Sequence, residues 1–504
     1  MYGISTQHAR AGGTVVRPPR GSHRPGVDLD EPRHGTSPES LDADGTSPEE
    51  ASRTVTDLAG PDLDTPGAPS TKDRTRRLRA FLGILGPGLV TGVADDDPSG
   101  VATYSQAGAA LGMGLLWTAP LSLPLMYGVQ EICDRTALAT GDSLGTLVRR
   151  KFTGATRWVI GVLVVALVVA NALNVAADLA AIGSGMQLLG LGPDHLWAAV
   201  AGVGLTASLV WGSFERIASA FKWLCLVLLV YGIVLVVADV PWGEVGAGML
   251  GLRMAWSWAS VGLIVAVLGT TISPYMLFWQ SAHRIEELRA ETGEPAASQP
   301  LVNRPHRHAL RKLVMARVDV FVGMLVSTLA MFAIMVATAA TVGRDGPVTL
   351  NTAADAAQAL APVAGPWASA VFAIGFIATG VLAVPVLASS GSIALAGLLG
   401  KPWGFDRSLR RAPLFYGLIG VGTLGGIAIA YFSDNPVSLL VFSAMINGIA
   451  AAPFLLIVML VSGDRQLMGR YANGPLAKVV GWFTTLLMGV AGIAGLYLTL
   501  FPPS

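Results

Sequence analysis

From residue 81 to residue 500 one pattern recurs: about twenty apolar residues, then a short polar or basic break. Each run is long enough to cross a hydrocarbon core of about 30 Å. The pattern predicts eleven membrane-spanning helices, over 81–110, 114–138, 156–188, 196–211, 217–240, 258–286, 311–341, 366–399, 412–432, 437–462 and 476–500. The run at 196–211 is short, and a break inside 366–399 invites division into two spans. Residues 1–80 are different. They hold 23 of the 67 charged residues, are rich in Pro, Gly, Ser and Thr, and repeat Gly-Thr-Ser-Pro-Glu at 35–39 and 45–49. Such a segment cannot bury enough apolar surface to offset its ordering entropy, so it reads as a disordered cytoplasmic tail. No short apolar stretch near its start marks a signal peptide.

Composition narrows the class. Hydrophobic residues make up 52% and charged residues 13%, against about 25% charged in a soluble domain. This excludes an ordinary soluble enzyme, a disordered protein and a nucleic-acid binder. The net charge of +1 steers no charged partner. Cys133 and Cys225 cannot make a disulfide framework and read as packing residues. Lys and Arg then orient the chain. With the tail inside, cytoplasmic flanks hold 26 of them and external loops hold Arg253 and Arg344. The positive-inside rule therefore predicts a multi-pass protein of the plasma (inner) membrane, with its N-terminus cytoplasmic and its C-terminus outside. Oligomeric state is not encoded in the pattern.

Two spans are interrupted alike. The first reads Gly86-Pro87-Gly88, then Asp95-Asp96-Asp97-Pro98-Ser99-Gly100; the sixth reads Gly269-Thr270-Thr271-Ile272-Ser273-Pro274-Tyr275. Proline removes a backbone donor, and freed backbone groups at membrane depth are tolerated only inside protein or beside water. Paired broken helices five spans apart point to a transporter substrate site; two ordinary proline kinks would read the same way. Three adjacent carboxylates facing lipid are untenable at about 2.5 kcal/mol or more each. A bound cation would stabilise them. Asp97, beside the break, is the expected direct ligand, with Asp96 and Asp95 attracting the ion through water. Asp178 is a lone acid in the third span, read as a proton relay, a second ion contact or a group with a structural partner. Asn171 and Asn174 read as interhelical glue, Asn447 as approaching the site from the tenth span, and Glu131, Asp134 and Arg135 as a local charge cluster. His283 reads as an interface residue. His306 and His308 lie in a basic loop unsuited to a metal.

These residues resemble the natural resistance-associated macrophage protein (NRAMP) family of divalent-metal transporters, through most of 81–500 and not in the tail. Asp97-Pro98 with Gln106-Ala107-Gly108-Ala109 looks like the family's first helix, where the motif is usually Asp-Pro-Gly-Asn, and Asp97 falls on its metal-binding aspartate. Gly269 to Tyr275 is similar to the sixth-helix motif, and Asp178-Leu179-Ala180 to the acidic motif of the third. Gly100 stands at the family's asparagine, Ser273 at its metal-binding methionine, Tyr275 at its histidine and Ala181 at a second acid. The resemblance implies an all-α integral membrane fold of the leucine-transporter type. It has two inverted five-helix repeats, about 81–240 and 258–462, and an extra helix at about 476–500. It implies a divergent branch that includes magnesium transporters.

The expected function is a secondary transporter carrying Mg²⁺ and/or Mn²⁺ into the cytoplasm by alternating access, with the ion as substrate and no cofactor. Asp97, Asp96, Gly100, Thr270 and Ser273 form the expected metal site; Asp95, Asp178, Tyr275 and Asn447 are its coupling or supporting residues. An organic-solute carrier of the amino-acid type on the same fold is the alternative, and an intramembrane enzyme the remote one. No nucleophile–base pair or nucleotide motif supports an enzyme.

Overall fold

The computed structural model describes residues 87–501 apart from 213–228, 238, 293–298, 345, 362–364 and 434. The tail, Gly86, Cys225 and most of the expected span at 217–240 lie outside the described residues. Among the described residues all regular structure is helical.

The first expected span is two helices, α1 (Pro87–Asp95) and α2 (Pro98–Leu111). A short 3-10 turn leads to α3 (Thr118–Thr140), which meets α2 at 110°. The short α4 (Leu144–Lys151) precedes α5 (Gly154–Leu188) and α6 (Asp194–Trp211). The described part of the fifth span is α7 (Leu229–Val237), followed by the short α8 (Trp242–Met249). The sixth span is again two helices, α9 (Trp258–Thr271) and α10 (Pro274–Thr292). Then come α11 (His306–Ala340), the short α12 (Ala353–Ala357), α13 (Ala368–Leu399), α14 (Pro413–Tyr431) and α15 (Pro436–Ser462). The one-turn α16 (Arg465–Met468) leads to α17 (Pro475–Leu500). Helix therefore stands at each of the eleven expected spans. Seven stretches are by themselves long and apolar enough to cross a membrane. The span at 366–399 does not divide: α13 is continuous through Pro385.

Burial sorts the spans. The broken sixth span is 78% buried in its most apolar window and α17 only 33%. The sixth span therefore sits in the middle of the bundle, and α17 lies along its flank. The outward face of α17 carries Leu476, Val479, Leu486, Val490 and Ile493, and that of α5 carries Val159, Val162, Val165 and Val169, all exposed. Apolar faces of this extent are stable only against lipid. Inside, α5 packs on α13, α11 on α1 and α2, and α9 on α15.

Small residues set the closest approaches. A Cβ on Gly88 would sit 2.6 Å from the backbone of Asp319 and Val320, and one on Gly269 would strike Ala444 and Gly448. Each broken span thus lies with its backbone against a neighbour, in the manner of small-residue packing between membrane helices.

Candidate metal site

The first break is made by its own sequence. Pro98 occupies the first turn of α2, where its missing N–H costs nothing. Asp97 adopts an extended conformation (φ −65°, ψ 171°) and caps that helix. Its Oδ1 accepts from the Gly100 amide at 2.7 Å and from the Ser99 hydroxyl at 2.7 Å. Its Oδ2 accepts from the Tyr275 hydroxyl at 3.1 Å, which reaches across from the second break. That break has the same origin: α9 ends at Thr271, Ile272 leaves helical geometry (φ −120°, ψ 57°), and Pro274 starts α10.

The two breaks face each other around Gly100. A Cβ there would lie 3.2 Å from the Thr270 hydroxyl and 3.4 Å from both the Asp95 carbonyl and the Tyr104 ring. The space left by an absent side chain at Gly100 is therefore lined closely by oxygens, and Tyr104 occupies one wall. Ser273 turns its hydroxyl back to the carbonyls of Gly269 (2.8 Å) and Thr270 (2.7 Å). It consumes its proton there and keeps its oxygen lone pairs as acceptors.

The three aspartates diverge. Asp97 turns toward α2 and Tyr275, whereas Asp95 and Asp96 turn to α11. There the single hydroxyl of Ser327 lies 3.1 Å from Asp95 Oδ2 and 3.2 Å from Asp96 Oδ1. One O–H can serve only one of them at a time. The other oxygens, Asp95 Oδ1 and Asp96 Oδ2, are buried without a hydrogen-bond donor. Asp178 on α5 is fully buried, neither of its oxygens accepts a hydrogen bond, and its strongest charged neighbour is Asp97. Among the described residues no Lys, Arg or His pairs with any of these four acids, and no three acids, histidines or cysteines converge as a metal cage. The arrangement is a cluster of buried acids with hydroxyl and carbonyl oxygens around it and, among the described residues, no basic side chain paired with it. Hard divalent cations take that kind of ligand set.

Asn447 lies beside this cluster, not in it. Its amide exchanges two hydrogen bonds of 3.0 Å with Asn174 on α5, one helical turn before Asp178. Asn171 similarly ties α5 to α13 through Leu387 O (3.0 Å) and Ser390 (2.9 Å), so both α5 asparagines are the expected interhelical glue. His283 is buried beside Trp279, with ring centroids 5.3 Å apart. His306 and His308 are exposed.

A second polar cluster, which the sequence pattern did not resolve, ties the two broken spans together on one side of the site. Arg284 on α10 grips both oxygens of Asp134 on α3 at 2.8 Å and reaches Asp319 on α11 at 3.2 Å. Asp319 also accepts from the Gly88 amide of α1 at 2.7 Å. Gln280 donates to Asp134 at 2.9 Å and pairs with Thr91 of α1. Asp134 thus belongs with Arg284, while Glu131 pairs with Arg135 and Arg317. The available signal was charge: Arg284 and Asp319 are ionisable groups at the edges of apolar runs, and such groups are costly unless paired. Which charge meets which is invisible in sequence.

The family model described as natural resistance-associated macrophage protein-like matches residues 88–498. The chain is 27% identical over 414 residues to the divalent metal cation transporter MntH of Aeromonas hydrophila, covering 79% of this chain and 92% of the relative. It is 29% identical over 441 residues to the MntH of Ralstonia nicotianae, covering 83% and 91%. In structure it resembles the Eremococcus coleocola manganese transporter, with a TM-score of 0.62 at 16% identity over 88% of this chain and 92% of that one. The shared fold, and a match that runs from the start of the first broken helix almost to the end of the last span, establish that this chain belongs to the NRAMP family.

Proposed function

We propose that the protein is a secondary transporter that moves divalent metal cations, Mg²⁺ and Mn²⁺, into the cytoplasm by alternating access. The observation that carries this reading is Asp97: a buried carboxylate at the meeting of two helix breaks, with further acids nearby and, among the described residues, no basic side chain paired with them. The relatives named divalent metal cation transporters support the substrate class. In this reading Asp97 is the direct ligand. Oxygens of Thr270 and Ser273 beside Gly100 complete the set, and Asp95, Asp96 and Asp178 are the further acids around it. The absence of a thioether favours hard ions, and Mg²⁺ is commonly held by one or two carboxylates with waters retained.

The protein acts in the cell's inner membrane, N-terminus inside and C-terminus outside, as the lysine and arginine distribution requires. The two five-helix repeats span about 81–240 and 258–462, and the helix at 476–500 is an addition. The Arg284–Asp134–Asp319 cluster then lies between the site and the cytoplasm and closes that side. Inward release needs α1 and α10 to part from α3 and α11. The test is uptake of Mn²⁺ and Mg²⁺ into proteoliposomes with calorimetric binding. Asp97→Ala is expected to abolish both while the protein still folds, and Asp97→Asn to be nearly as damaging because it keeps the shape and loses the charge. Unchanged uptake in either variant overturns the assignment.

A further inference from the structure

The environment of Asp97 is asymmetric. Its Oδ1 is committed to its own helix, capping the Gly100 amide and holding the Ser99 hydroxyl, both at 2.7 Å. Only Oδ2 faces another element, and there the Tyr275 hydroxyl donates to it at 3.1 Å. Tyr275 is fully buried, and its neighbours Ala94, Met276 and Trp279 pack in the same core. It also follows Pro274 in the first turn of α10, where the ring fixes the backbone entry. The phenol is therefore held against the carboxylate by packing on every side, not by a loose surface rotamer.

We propose that Tyr275 sets the affinity and release rate of the metal site: its O–H takes one of the two lone-pair sites on the Asp97 oxygen that faces the second break, so an ion that binds there works against a hydrogen bond already made. This rests on Asp97 being the metal ligand. The hydrogen bond stabilises the empty site more than the loaded one, because a cation on the same oxygen draws electron density from it and repels the phenol proton. Weak cations do not repay that loss, and a divalent ion does so only in part, which keeps binding loose enough for release. A transporter needs that compromise, since an ion held too tightly is not delivered.

The competition predicts a gain where a merely structural role predicts a loss. Tyr275→Phe keeps the ring and its packing and removes only the hydroxyl. Hydrogen bonds to charged groups are among the stronger ones in proteins. Calorimetric Kd for Mn²⁺ and for Mg²⁺ is therefore expected to fall by about tenfold. In proteoliposomes KM for uptake should fall together with the maximal rate, because release slows. A ring-fluorinated tyrosine at position 275, whose more acidic O–H donates more strongly, should shift Kd the opposite way. Asp97→Ala is measured in parallel with the same two ions. If Asp97→Ala abolishes binding and Tyr275→Phe leaves Kd unchanged or weaker, the Tyr275 proposal is wrong and Asp97 stands as ligand. If Asp97→Ala binds like the wild type, the ligand assignment fails and the proposal falls with it. Tighter binding in Tyr275→Phe, looser binding with the fluorinated ring and no binding in Asp97→Ala is the supporting result.

Discussion

Arg284 offers the sharpest test of the proposal that its cluster closes the cytoplasmic side of the candidate metal site. Its side chain is 3% exposed, as is that of Asp134, and Asp319 is 1% exposed. The guanidinium makes a two-point contact with Asp134, a third with Asp319 and a fourth with Glu287, which keeps Lys312 as a second partner. Replacing Arg284 by Ala leaves Asp134 with Gln280, and Asp319 with the Gly88 amide, as their remaining described donors. Removing one partner of a buried ion pair typically costs about 3–5 kcal/mol. That cost falls on the closed arrangement alone, because parting α1 and α10 from α3 and α11 lets water reach both acids. At about 1.4 kcal/mol per tenfold, the closed-to-open ratio should fall by roughly two to four orders of magnitude. Ala94 on α1 is 1% exposed and small, so a cysteine there, in a background with Cys133 and Cys225 replaced by Ser, reports opening. Labelling by a membrane-impermeant maleimide from the cytoplasmic face should accelerate at least tenfold in Arg284→Ala. Adding Asp134→Asn and Asp319→Asn to Arg284→Met should restore slow labelling, since a buried ion pair exchanged for neutral groups of similar size is close to energetically neutral. Unchanged labelling in Arg284→Ala, or no recovery in the neutral triple variant, refutes the charge argument and leaves packing as the cause.

Three further outcomes are expected. Ser273→Met removes the donor to the Gly269 and Thr270 carbonyls and adds a soft thioether; competition uptake should shift toward Mn²⁺ and Cd²⁺ over Mg²⁺ by about tenfold, and a wild type that ignores excess Mg²⁺ contradicts the hard-site reading. With Tyr275 and Ala181 in place of titratable groups, a pH dye trapped in proteoliposomes should record metal uptake with little proton entry; acidification that scales with uptake contradicts this. Gly448→Leu drives a side chain into Val265 and Gly269 at the α9–α15 contact and should lower thermal stability in detergent by roughly 2–4 kcal/mol of overpacking and displaced backbone, whereas Gly420→Leu, where the added atom meets open space, should be silent.

Hydropathy alone determined the membrane class and the number of spans, because a helix that must cover about 30 Å of hydrocarbon leaves an unmistakable run of apolar residues. Proline and its small polar neighbours also fixed both helix breaks to within a residue or two: Asp97-Pro98 and Ser273-Pro274 are local signals, and the chain obeys them locally. The resemblance at Asp97 named the family that the match over residues 88–498 bears out. Tertiary structure alone decided the rest. Three consecutive aspartates look equivalent in sequence, yet Asp97 turns to its own helix and Tyr275 while Asp95 and Asp96 turn to Ser327, because the break lets successive side chains leave in different directions. Asn447 has the right depth and type to reach the site, but Asn174 satisfies it instead. Arg284, Asp134, Asp319 and the Gly88 amide come from four helices up to 231 residues apart in the chain. Apolar periodicity reports which residues leave water. A buried charge reports only that it must find a partner, and which partner is settled by the packing of helices that are distant in sequence.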